Sequence, residues 1–243
     1  DFSVLLDRYV IGTPVIGQID SDSELEIIIG GFGPVTSTNP LFVLNHDGSH
    51  TSGFPVQIGE KIRGGVSIAD YNMNGLDDIV FGTESDNVYL IMDNGEIADG
   101  FPFQASNKIE SSPSILDQNG VKIICVGSKD DHFYGISDDG EIVFDIETEG
   151  NISSSASFIN SDSGTMIFFA SEDGLLYSID VNGQSFPGWP KFIGENVYGS
   201  PVFTDLNSDD LYEVLVSVDS QISISSVNGD DFVFHSIPHD LPL

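Results

Sequence analysis

The feature that most constrains this chain is internal repetition. Five segments align without gaps: Gly12 to Gln18, Gly64 to Asp70, Ser111 to Asp117, Ser154 to Asn160, and Gly199 to Asp205. Their last residues, Gln18, Asp70, Asp117, Asn160 and Asp205, are spaced by 52, 47, 43 and 45 residues. A repeat of this kind is one supersecondary unit that buries its apolar face against copies of itself, and a period of ~40–50 residues is that of a propeller blade.

Each repeat runs through the same elements. The aligned segment is strand A, and a short apolar run follows as strand B, as in Ile27-Ile28-Ile29-Gly30 or Ile79-Val80-Phe81-Gly82. A second run, strand C, ends at Asp47-Gly48, Asn94-Gly95, Asp139-Gly140, Asn182-Gly183 or Asn228-Gly229, dipeptides that tolerate the positive φ of hairpin turns. An aromatic strand D is expected at Gly53-Phe54-Pro55, Gly100-Phe101-Pro102 and Gly188-Trp189-Pro190, with Phe144 in the same place in a shorter version. No stretch shows a sustained 3.6-residue apolar period. The pattern predicts an all-β chain, a β-propeller of four-stranded antiparallel blades. Five in-register copies of the turn outweigh the alternative of a β-sandwich. About five blades are present, near residues 12–62, 63–109, 110–152, 153–197 and 198–243. Phe2 precedes Gly12 by the interval that separates Phe54 from Gly64, so residues 1–11 read as the last strand of a preceding blade. Phe232 to Ser236 reads as a further such strand. With Asp rather than Met at position 1, the chain is expected to be a piece of a larger propeller of six to eight blades.

The connection from A to B carries the chemistry. In the second repeat it runs Asp70-Tyr71-Asn72-Met73-Asn74-Gly75-Leu76-Asp77-Asp78, and in the fifth Asp205-Leu206-Asn207-Ser208-Asp209-Asp210-Leu211-Tyr212-Glu213. Oxygen side chains fall at loop positions 1, 3, 5 and 9. Position 6 (Gly75, Asp210) accepts a sharp turn, and position 7 (Leu76, Leu211) would offer a backbone carbonyl. Several oxygens on one tight loop suit a hard cation with six to eight ligands, and Ca²⁺ tolerates irregular geometry better than Mg²⁺. The first repeat keeps Asp20, Asp22, Glu24 and Glu26 but has Gln18 at the first position. An EF-hand is excluded, because these loops close at position 9 and enter a strand. The third and fourth loops are shortened to Asp117-Gln118-Asn119-Gly120 and Asn160-Ser161-Asp162-Ser163-Gly164, and read as Asx turns. Two to three structural Ca²⁺ sites are expected, since clustered carboxylates repel until a cation neutralises them.

Composition narrows the partners. The 243 residues hold 39 Asp+Glu against 7 Lys+Arg, a formal net charge of −32. A polyanion binder needs clustered cations, so nucleic acid is excluded, and an anionic membrane surface is disfavoured for the same reason. No apolar stretch reaches the ~20 residues of a membrane span, so membrane insertion is not expected. The single cysteine, Cys125, lies in the apolar run Ile123 to Val126 and reads as a buried, inert thiol.

Asp70 to Asp78 followed by Ile79-Val80-Phe81-Gly82, Asp205 to Glu213, and the Gly-Phe-Pro and Gly-Trp-Pro triplets resemble the FG-GAP/VCBS repeat family. That is the blade type of integrin α-subunit propellers and of many large secreted bacterial proteins, and the resemblance spans essentially the whole chain. It implies calcium in the A–B loops at Asp70, Asn72, Asn74, Leu76 and Asp78, and at Asp205, Asn207, Asp209, Leu211 and Glu213. Gln18 and the two shortened loops depart from the family pattern, and no Gly-Ala-Pro follows Phe81-Gly82.

No His-Glu-x-x-His, Gly-x-Ser-x-Gly or phosphate-binding loop is present. His46 and His50 flank a turn and read as solvated, as do His235 and His239 near the end of the sequence. Trp189 shares its repeat position with Phe54 and Phe101, which favours packing over a sugar-stacking platform. The sequence is therefore read as a non-catalytic, calcium-stabilised propeller module for adhesion, scaffolding or ligand binding. Its expected setting is a secreted or cell-surface bacterial protein, with a protein or polysaccharide partner. The alternative is the propeller domain of a secreted polysaccharide lyase or hydrolase.

Overall fold

A computed structural model of the chain describes residues 3–6, 9–33, 38, 40–118, 120–161, 164–195, 197–219 and 221–230. Phe2, Asn119, Asp162, Ser163, His235, His239 and the strand expected at Phe232 to Ser236 lie outside the described residues. The first sheet is β1 (Val15–Gly17), β2 (Glu26–Gly30), β3 (Pro40–Leu44) and β4 (Val56–Gln57). The second is β5 (Ser67–Ala69), β6 (Asp78–Gly82), β7 (Asn87–Ile91) and β8 (Phe103–Gln104). The third is β9 (Ser114–Gln118), β10 (Val121–Gly127), β11 (His132–Ile136) and β12 (Ile142–Glu147). The fourth is β13 (Ser157–Ser161), β14 (Gly164–Ala170), β15 (Leu175–Ile179) and β16 (Lys191–Phe192). The fifth has three strands among the described residues, β17 (Val202–Thr204), β18 (Glu213–Val218) and β19 (Gln221–Ser226). All pairings are antiparallel between sequence neighbours, and no helix occurs among the described residues.

The sheets stack as blades because strands B and C are apolar on both faces. In β6, Ile79 and Phe81 join a cluster with Ile28, Leu41 and Val43 of the first blade. Val80 between them points the other way, into a cluster with Ile124, Val126 and Tyr134 of the third. Period-two alternation thus feeds two interfaces rather than one core and a wet face. The same division recurs onward, where Phe133 of β11 stacks on Phe169 of β14 with ring centroids 3.8 Å apart. The inner A strands are stitched side by side: Ser67 Oγ donates to the Pro113 carbonyl at 2.6 Å, and Ser114 Oγ to that of Ala156 at 2.8 Å. This radial arrangement of four-stranded units is a β-propeller. In the first three blades the chain from strand D to the next A strand is clamped where strand B ends in glycine, at Gly30, Gly82 and Gly127. A Cβ on Gly82 would lie 2.0 Å from Ile109 Cγ2, so only glycine lets this strap close on the blade.

One sequence expectation needs correction. The Gly-aromatic-Pro triplets are not strands; they are turns with positive φ at Gly53, Gly100 and Gly188, and each aromatic–Pro peptide is cis. Strand D starts beyond the proline, since proline cannot donate to a ladder; only Phe144 lies within a strand, β12. In the C–D turns only the glycine takes positive φ. Its N–H closes back on the carbonyl three residues earlier, as Gly48 on Asn45 and Gly95 on Met92. These are type I turns ended by a left-handed glycine.

In the fifth blade, Leu206 is 46% exposed and Ile222 64%. Their counterparts in earlier blades, Ile19, Tyr71, Val88 and Phe133, are buried against the blade that follows.

Candidate metal centre

The three long A–B loops share one latch. The acidic residue at position 9 is buried where strand B begins, and it accepts the N–H of loop residue 2. The pairs are Glu26 Oε2 with Ile19 N (2.8 Å), Asp78 Oδ2 with Tyr71 N (2.9 Å), and Glu213 Oε2 with Leu206 N (2.8 Å). Asp78 also accepts from Asp93 N at 2.9 Å, tying the loop to the neighbouring C–D turn. Burial pushes the Asp78 carboxyl above the usual carboxylate range, against the pull of these two N–H donors.

Positions 1, 3 and 5 turn their oxygens into the loop. Asp70 accepts from Asn74 N and Gly75 N at 3.0 and 2.8 Å, Asn72 from Asn74 N at 3.0 Å, and Asn74 from Leu76 N at 2.8 Å. The fifth loop repeats this with Asp205 on the N–H groups of Ser208, Asp209 and Asp210, Asn207 on Asp209, and Asp209 on Leu211. Asp205 Oδ1 already accepts two of these N–H groups, whereas the oxygens of Asp70, Asn72 and Asn74 accept one each and keep a second lone pair for a cation. Left-handed backbone occurs at position 6, as the sequence suggests, and also at position 4, at Met73 and Ser208. Position 4 gave no signal, because neither residue type favours that conformation.

The tightest convergence is in the first loop. One oxygen each from Asp20, Asp22 and Glu26 lies within 4.8 Å of the other two, and among the described residues no other group of three His, Cys, Asp or Glu does so. Glu26 Oε1 is buried and has no hydrogen-bond partner. Asp20 and Asp22 are held by accepting from Asp22 N and Glu24 N, both at 2.9 Å. Gln18 turns its amide Nε2 onto the carbonyls of Asp20 and Asp22, at 2.6 and 3.0 Å. Glu24 stays outside the triad, bonded to Ser23 Oγ at 2.9 Å. In the second loop only Asp70 and Asp78 are carboxylates on the ligand register. In the fifth, Asp205, Asp209 and Glu213 do not reach the same closeness.

The third blade solves the problem with its own cation. Lys122, 7% exposed, places Nζ 3.6 Å from Asp117 Oδ2 and 5.7 Å from the centroid of the Tyr71 ring. Asp117 is the repeat equivalent of Asp70, so an ammonium stands where the longer loops gather oxygens. In the fourth blade the contact is neutral, Thr165 Oγ1 donating to Asn160 Oδ1 at 2.8 Å.

Charge is segregated by face. Alternate connections of a meander lie at alternate ends, so A–B loops and C–D turns share one face of the propeller. Those segments contain no Lys or Arg. On the opposite face a chain of ion pairs crosses the blades. Arg63 meets Glu84 and Glu110 at 3.1 and 3.9 Å, and Lys129 meets Glu110 and Glu172 at 3.6 and 3.0 Å.

Other candidate chemistry is accounted for by packing. Trp189 is buried edge-on against Phe168 and donates its indole N–H to the Val227 carbonyl at 3.3 Å. Cys125 is fully buried, which pushes its thiol above the ordinary range. His46 and His50 are exposed. A pair the sequence did not reveal joins His132 Nδ1 to Asp145 Oδ1 at 2.6 Å across β11 and β12.

No family model matches the chain, and no curated protein matches its sequence. Solved structures do. It is similar to the biofilm matrix protein Bap1 of V. cholerae at 18% identity and TM-score 0.69, over 91% of this chain and 38% of that one. The Dos1 propeller matches at 12% identity and TM-score 0.64, over 91% and 55%. BamB from Moraxella catarrhalis matches at 14% identity and TM-score 0.59, over 87% and 59%. The chain thus spans less than two thirds of each of these proteins, and the likeness is one of fold.

Proposed function

We propose that this chain is a calcium-stabilised β-propeller module of the FG-GAP/VCBS kind, serving adhesion, scaffolding or ligand binding in a secreted or cell-surface protein. The observation that carries the reading is the first A–B loop. Three carboxylates converge there, and one of them, Glu26, has a buried oxygen with no hydrogen-bond partner. A buried carboxylate oxygen without a donor is costly unless a cation takes that place. The second and fifth loops offer the same register of oxygens, through Asp70, Asn72, Asn74, Asp78 and the Leu76 carbonyl, and through Asp205, Asn207, Asp209, Glu213 and the Leu211 carbonyl. Extracellular calcium modules work in the range of about 10⁻⁴–10⁻³ M Ca²⁺, and the reading assigns these loops to that class. The exposed Leu206 and Ile222 mark the face on which a further blade of a larger propeller would pack.

The test is a thermal melt of the chain in chelator, in Ca²⁺ and in Mg²⁺. At a hundred times the dissociation constant one site adds about 2.7 kcal/mol, which raises Tm by roughly 5–10 °C for a domain of this size. No rise with Ca²⁺, or an equal rise with Mg²⁺, refutes the reading.

A further inference from the structure

A cleft of about 480 Å³ opens on the anionic face between the second and third blades. That size lies within the ~300–1,000 Å³ of small-ligand sites. Its lining includes the apolar side chains of Leu90, Met92, Ile97 and Ala98, together with Glu96 and Asp99 on one blade and Asp138 and Asp139 on the next. No Lys or Arg lines it. Glu96 accepts from Asn94 and Asp139 from Ser137, whereas Asp99 and Asp138 make no hydrogen bond or ion pair among the described residues. Tyr71, 9% exposed, forms part of the wall, and its buried hydroxyl has no hydrogen-bond partner. Lys122, which lies over the Tyr71 ring, is engaged by Asp117.

A cleft lined by apolar side chains and carboxylates is the complement of one ligand class. We infer that this cleft binds an alkylammonium chain, such as a free aliphatic diamine or the side chain of a lysine. Its methylenes would lie along Leu90, Met92 and Ile97. Its ammonium would pair with Asp138 on one side of the cleft or Asp99 on the other, the two carboxylates left free there. A metal ion fits poorly, because it gains nothing from the apolar side chains of the lining and the free carboxylates stand on separate blades. The site is distinct from the triad of the first loop, but Asn72 of the second A–B loop lines its edge, so it is tested with that loop filled.

The test is titration of the whole chain with cadaverine and with Nα-acetyl-lysine methylamide, in saturating Ca²⁺ so that the loops are already filled. Binding is followed by amide NMR shifts. The expected result is saturable shifts centred on Tyr71, Leu90, Ile97 and Asp139, with the tighter of the two probes identifying the source of the alkylammonium. Asp138→Asn and Ile97→Ser, both at exposed positions, should each weaken binding by roughly tenfold. Tyr71→Phe, whose hydroxyl is sealed from the cleft, and Asp47→Asn, on a turn of the first blade that does not line it, should leave it unchanged. Equal weakening by Asp47→Asn, shifts spread over all acidic loops, or equal binding of uncharged 1,5-pentanediol would overturn the inference. So would the absence of saturable shifts with either probe.

Discussion

Replacing Glu26 by glutamine should change the sign of its effect on stability according to whether calcium is present. In the native loop Glu26 Oε2 accepts the N–H groups of Ile19 and Asp20 at 2.8 and 3.3 Å, while Oε1 is buried without a partner. Glutamine keeps the shape and one acceptor oxygen for Ile19. It removes one negative charge from a group whose oxygens lie within 4.8 Å of one another. Two unit charges at that separation repel by about 3.5 kcal/mol at an effective dielectric of 20. Solvent around the exposed Asp22 leaves a net relief of about 1 kcal/mol. In chelator the variant should therefore melt roughly 2–4 °C above the parent. In saturating Ca²⁺ the order reverses, because a carboxylate ligand has gone; a tenfold weaker site forfeits about 1.4 kcal/mol. Scanning calorimetry of both proteins under both conditions reads the crossing directly. If Glu26→Gln lowers Tm by the same amount with and without Ca²⁺, Glu26 is a backbone latch only and the cation reading of this loop fails.

Three further outcomes follow from the packing and the polar contacts. Gly82→Ala puts a methyl group 2.0 Å from Ile109 Cγ2 and 2.6 Å from its Cβ. Overpacking of this kind costs about 1–3 kcal/mol, and an unchanged Tm would refute the strap-clamp account. Tyr177→Phe removes the bond from its hydroxyl to Asp173 Oδ2 at 2.8 Å, a contact repeated by Tyr134 with Asp130 and by Tyr89 with Glu60. It should lower stability by about 1 kcal/mol in a denaturant melt; no loss would mean that water replaces the contact. The hydrogen bond to Asp145 raises the folded-state pKa of His132. The stability this pair adds is present below about pH 6.5 and is lost as pH rises through the folded value. Both groups are partly exposed, so the gain is under about 1 kcal/mol. A pH series of melts on the parent and on His132→Gln should differ in acid and converge above neutrality, and parallel curves would refute the assignment.

Much of the architecture was legible in local pattern. The strands B and C, the turn glycines and the oxygen register of the A–B loops follow from which residue types recur at which spacing. Strand D was misplaced because Phe54, Phe101 and Trp189 look like strand residues, while the glycine and proline beside them impose the turn. The loop ranking changed as well. On sequence the second and fifth loops hold the fuller ligand set. In space it is the first, with glutamine at its leading position, that brings three carboxylates together.

By itself the sequence determined the repeating unit, its all-β character and the excess of negative charge, because each is written in composition and short-range period. Tertiary structure alone decided which acids converge. It also paired His132 with Asp145 and Lys122 with Asp117, gathered the ion-pair chain on one face and opened the cleft beside Tyr71. Those features join residues on different strands or blades, and their distances depend on how twisted sheets dock. No spacing along the chain encodes that docking.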